Sequence, residues 1–100
     1  MKNAILAISE RKETLKQIRK ELSEQYEIIT FNNLLDALDM LRESDFDIVL
    51  LDEYLTWFNF AEAKRKLNGI GKDFVVVGLL DDETEEVLQE LRNADIYNYL

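Results

Sequence analysis

Ile48-Val49-Leu50-Leu51 is an unbroken aliphatic run that stops at two consecutive acids, Asp52-Glu53. A run of this length without polar alternation is the pattern of a strand buried on both faces, as in a parallel sheet. A strand of that kind needs layers packed above and below it, which narrows the chain to α/β architectures. Asp52 then stands where the strand emerges at its C-terminal end, the edge at which open α/β sheets bind ligands. A carboxylate there can bind a metal, accept a phosphoryl group or cap the following turn.

The other segments fall into step with this strand. Ala4-Ile5-Leu6-Ala7-Ile8 reads as a buried strand, followed by the polar loop Ser9-Glu10-Arg11-Lys12. Over 13–25, Leu15, Ile18 and Leu22 recur at helical spacing, which predicts an amphipathic helix. Ile28-Ile29-Thr30-Phe31 marks a strand over 26–31. Asn32 or Asn33 can cap a helix reaching 44, with Leu34, Leu38 and Leu41 turned inward. The central strand spans 46–51, and 52–59 is an irregular loop. A short helix over 60–67 is stopped by Asn68-Gly69 and Gly71. Phe74-Val75-Val76-Val77-Gly78-Leu79-Leu80 is the strongest strand. Asp81 or Asp82 caps a helix over 83–93, with Val87, Leu88 and Leu91 inward, and 97–100 forms a last strand. Strand and helix therefore alternate throughout, as in a parallel sheet with right-handed crossovers and helices on both faces. The expectation is one domain over 1–100 without a final helix, that element being trimmed away or supplied from elsewhere.

Composition removes several function classes. The chain has no histidine and no cysteine, so thiolate chemistry, disulfides and imidazole acid–base catalysis are excluded, and any metal site must be built from oxygen. Twelve basic against 21 acidic residues give a net charge of −9, which argues against direct nucleic-acid binding. The early apolar stretch is too short for a signal peptide or a membrane span, which predicts a cytoplasmic protein without membrane contact. The loop after the first strand lacks the glycines of a phosphate-binding loop, which argues against a nucleotide binder. With no second base beside Asp52, no enzyme is expected.

Phe46-Asp47-Ile48-Val49-Leu50-Leu51-Asp52 resembles the third strand of bacterial response-regulator receiver domains, with Asp52 at the phosphoacceptor position. The resemblance implies a flavodoxin-like, doubly wound five-stranded parallel sheet of order 2-1-3-4-5. It also implies a Mg²⁺ site formed by Glu10, Asp52 and the backbone carbonyl of Tyr54. Ser9-Glu10 occupies the family's acidic pair, so one of the two acids is Ser here. The family's phosphoryl-sensing hydroxyl at the end of strand four corresponds to Leu80, and the switch aromatic of strand five to Tyr99. The family's loop after the acceptor appears as Leu55-Thr56-Trp57-Phe58-Asn59-Phe60, in which only Leu55 and Asn59 match.

The implied function is a receiver module in phosphorelay signal transduction. It would take a phosphoryl group onto Asp52 from a histidine kinase or phosphotransfer protein and act on an output domain or protein, with a homodimer among the assemblies the resemblance allows. Leu80 points to the alternative: without that hydroxyl, one phosphoryl oxygen lacks a donor worth about 1–3 kcal/mol. In that reading the chain is a pseudo-receiver, a phosphorylation-independent interaction module. Trp57 and Phe58, beside the acidic edge, are its candidate partner-binding residues.

Overall fold

The computed structural model describes residues 3–100. Its elements are β1 (Asn3–Ile8), α1 (Lys12–Leu22), β2 (Tyr26–Phe31), α2 (Leu34–Glu43), β3 (Ile48–Asp52), α3 (Phe60–Asn68), β4 (Val75–Leu79), α4 (Glu85–Asn93) and β5 (Asn98–Tyr99). All strand pairs are parallel, and the sheet order is β2-β1-β3-β4-β5. This is the expected flavodoxin-like order, and the aliphatic runs at β1 and β3 lie at its centre.

Pleating sends alternate side chains of each strand to opposite faces and so divides the core in two. Leu6, Ile8, Val49, Leu51 and Val76 face α2, α3 and α4, meeting Leu34, Leu38, Leu41, Phe60, Leu67 and Leu91. Ile5, Ala7, Leu50 and Leu79 face the other way, against Ile18, Leu15 and Leu22 of α1. Each fully buried Leu or Ile contributes roughly 1.5–3 kcal/mol relative to an exposed one, so the central strands carry much of the stability. Gly78 marks the closest approach between layers: a Cβ there would lie 2.9 Å from Leu91 Cδ2 and 3.6 Å from the Phe60 ring.

Several boundaries differ from the sequence expectation, each for a local reason. The third strand starts at Ile48 rather than 46 and ends at Asp52 rather than 51. Its entry is held by Asp47, whose N–H donates to the Ala4 carbonyl and whose carbonyl accepts from Val75 N–H. The first helix stops at Leu22, earlier than 25. The fourth helix starts at Glu85 and is capped by Thr84, which accepts from Val87 N–H; neither Asp81 nor Asp82 caps it. The last strand contracts to Asn98–Tyr99, although Leu100 N–H still donates to Gly78 and its carbonyl accepts from Leu80 N–H. Among the described residues, no helix is long and apolar enough to cross a membrane.

Candidate functional site

Register brings the chemistry together. Ile8 pairs with Leu51, and Asp52 pairs with Leu79. Ser9 therefore leaves β1 level with Asp52, and Leu80-Asp81 leave β4 just above it. Three loops, after β1, β3 and β4, converge on one carboxylate at the C-terminal edge of the sheet.

Asp52 is buried, with 1% of its surface exposed. Such a carboxylate is costly unless it is paired and hydrogen-bonded, and here it is both. Ser9 Oγ donates to Oδ2 at 2.6 Å. Arg11 clamps both oxygens, with Nε on Oδ2 at 2.9 Å and Nη2 on Oδ1 at 2.7 Å. This is the fork geometry in which guanidinium–carboxylate pairs are strongest. The remaining arm, Nη1, reaches the Asp81 carboxylate at 2.7 Å to each oxygen. Ser9 Oγ also accepts from the backbone N–H of Arg11 at 3.1 Å, fixing the start of the loop against the acid. The guanidinium carbon lies 4.9 Å from the centroid of the half-exposed Tyr54 ring. The hydrogen bonds to Asp52 and then Asp81 raise the Arg11 pKa above its already high ordinary value, so the side chain is a permanent cation.

Arg11 precedes the first turn of α1 in the N-cap position and makes no side-chain cap. Its side chain is spent on Asp52 and Asp81 instead. Asp81 is held on two sides, because its N–H also donates to Glu53 Oε1 at 3.0 Å. That engagement explains why capping of α4 passes to Thr84.

The expected magnesium ligands do not assemble. Glu10 accepts from both the N–H and the hydroxyl of Thr56. Tyr54 directs its N–H toward Asp52 Oδ1 at 3.5 Å. Among the described residues, no group of three or more acids is placed to hold a metal ion. Both oxygens of Asp52 already have donors, and a cationic side chain fills the space beside them. The donor set therefore does not fit a divalent cation in this arrangement.

The other expected residues make no hydrogen bond to the acid among the described residues. Leu80 is partly buried and packs onto the main core cluster, an apolar side chain at the position where the family resemblance has its phosphoryl-sensing hydroxyl. Tyr99 is more exposed, and its phenol pKa is raised, first by a hydrogen bond to Glu83. The aromatic loop divides. Phe58 packs against the core, with Lys66 Nζ 5.7 Å from its ring centroid, whereas Trp57 is 87% exposed and adopts φ +76°. Arg11 and Asp81 are the candidate-site residues that sequence reasoning missed. The only signal for them was position: a cation two residues past Ser9 on the β1 side and an acid two residues past β4, in loops that the topology brings together.

Comparison with solved structures decides what this architecture is. The response regulator DrrB of Thermotoga maritima, an OmpR/PhoB homolog, superposes on the whole chain with a TM-score of 0.85 at 23% identity. A two-component response regulator from Clostridium difficile covers 99% of it with a TM-score of 0.86 at 17% identity. The chemotaxis response regulator CheY4 of Vibrio cholerae covers all of it with a TM-score of 0.85 at 17% identity. The fold is that of receiver domains. At these identities the likeness is one of fold. The chain spans 45% of DrrB, 82% of the Clostridium protein and 86% of CheY4. No protein-family model matches the sequence, and no curated protein matches it. Within the receiver fold, the acid at the end of β3 is where the sequence placed it, and an arginine from the β1–α1 loop lies across it.

Proposed function

We propose that this chain is a non-enzymatic, receiver-type signalling module that works as a pseudo-receiver, passing information through protein contacts rather than through a phosphoryl group on Asp52. One observation carries this reading: both oxygens of the buried Asp52 carboxylate are engaged, by the Ser9 hydroxyl and by two nitrogens of Arg11. An aspartyl nucleophile needs a free oxygen in line with the phosphorus and a cation shared with the phosphoryl oxygens. Arg11 gives its charge to Asp52 and Asp81 instead. Leu80 supports the same reading, since it offers a phosphoryl oxygen no donor. Trp57 is the contact residue best placed for a partner protein or output domain, because its indole is exposed beside exposed Leu35 on a groove of about 420 Å³.

The competing reading is phosphorelay: transfer from a histidine kinase or phosphotransfer protein onto Asp52 with Mg²⁺. The position of Asp52 at the end of β3 in a receiver fold favours it, and it requires Arg11 to leave the carboxylate. The two are separated by incubating the protein with Mg²⁺ and a small acyl phosphate and measuring its intact mass. The expected result is an unchanged mass. Addition of one phosphoryl group, lost in Asp52→Asn, would overturn the pseudo-receiver and establish Asp52 as an acceptor.

A further inference from the structure

The acidic edge of this fold contains Glu10, Asp52, Glu53, Asp81 and Asp82 within three converging loops, in a chain of net charge −9. Like charges at that density repel one another, and a buried one among them is the most costly. A positive charge placed there offsets that repulsion. A divalent ion would do this by bridging one or two carboxylates and completing its shell with water. Arg11 does it with a charge carried by the chain itself: one guanidinium spans Asp52 and Asp81, with four nitrogen–oxygen contacts between 2.7 and 2.9 Å.

We infer that Arg11 is the resident cation of this pocket, standing in place of a divalent ion, so that the native domain takes up no Mg²⁺ at Asp52 and becomes a divalent-binding domain when the guanidinium is removed. The inference rests on the pseudo-receiver reading and extends it to metal dependence. Three features distinguish a resident cation from an ordinary ion pair. Arg11 uses three of its nitrogens on two acids, one at the end of β3 and one just past β4. Its backbone is fixed by Ser9, the residue that also donates to Asp52. Glu10, the acid beside it in sequence, spends both carboxylate oxygens on the N–H and hydroxyl of Thr56. Loss of the guanidinium would leave Asp52 and Asp81 facing one volume with no positive charge in it, an arrangement that suits a hydrated divalent ion.

The test is thermal unfolding of the wild-type chain, Arg11→Gln and the double variant Arg11→Gln/Asp52→Asn, each with EDTA and with millimolar Mg²⁺. Wild type should melt at the same temperature in both buffers. Arg11→Gln should melt roughly 10 °C or more lower in EDTA, because a buried carboxylate has lost its partner, and should recover several degrees with Mg²⁺. The double variant should regain stability in EDTA and lose the response to Mg²⁺. Wild type stabilised by Mg²⁺ as strongly as Arg11→Gln overturns the inference; so does an Arg11→Gln chain as stable as wild type in EDTA and indifferent to Mg²⁺. Should Arg11→Gln fail to fold, a Mg²⁺ titration of wild type followed by the amide resonances of Ser9, Asp52 and Tyr54 takes its place. Unmoved resonances support a resident arginine, and saturable shifts overturn it. Phosphorylation of the wild-type chain would end the pseudo-receiver reading yet leave these metal responses as a separate result.

Discussion

The contacts that close over Asp52 are of unequal worth. Ser9 is fully buried and its hydroxyl donates over 2.6 Å to a buried charge, whereas the outer half of the clamp joins an Arg11 side chain that is 33% exposed to an Asp81 that is 49% exposed. Solvent screens the second pair far more than the first bond. Ser9→Ala should therefore cost about 1.5–3 kcal/mol, since it strips a charge-assisted bond from Asp52 and an acceptor from the Arg11 N–H. Asp81→Asn should cost under about 1 kcal/mol. Urea denaturation midpoints measure both, and equal losses would contradict the ranking. At this scale the sequence revealed the acid but not its partner. Asp52 announces itself by closing an aliphatic run, a local pattern. Arg11 lies 41 residues away, in a loop that looked merely polar. Its role arises from the pairing of Ile8 with Leu51 and the convergence of two loops, which no local pattern encodes.

Among the elements, the β3–α3 loop behaves least like a piece of scaffold. Leu55 and Phe58 form a bridge that closes it, Phe58 N–H donates to the Leu55 carbonyl, and Trp57 occupies the tip. A bulky residue at φ +76° bears a left-handed backbone cost of roughly 1–2 kcal/mol, and its indole recovers little of this by burial. Trp57→Gly should consequently leave stability unchanged or raise it by up to about 1 kcal/mol, as a chemical melt would show. A clear loss would mean that the indole is a packing residue and would remove Trp57 as a contact surface. Element positions were largely legible because each strand core is an uninterrupted apolar run and each helix has an inward stripe at helical spacing. The start of α4 was not: Asp81 resembles a cap in sequence, but its carboxylate is committed to Arg11 and Thr84 takes the role.

On the scale of the whole molecule, the sheet order was legible through the resemblance of its third strand, and the structure reproduces it strand for strand. The two faces are unequally covered, with α2, α3 and α4 on one and α1 on the other. What departs from the sequence reading is the state of the acidic edge, because a single side chain decides between an open carboxylate and a closed one. The receiver fold supplies the platform, and Arg11 closes over the carboxylate at its edge. The most direct measurement is an NMR spectrum of the arginine Nε–Hε groups, with the Arg11 signal assigned by its loss in Arg11→Gln. A guanidinium locked between Asp52 and Asp81 should give a resolved, slowly exchanging Arg11 resonance that is unaffected by Mg²⁺. An Arg11 resonance averaged with the solvent-exposed arginines, or one displaced as Mg²⁺ is added, would contradict a resident arginine.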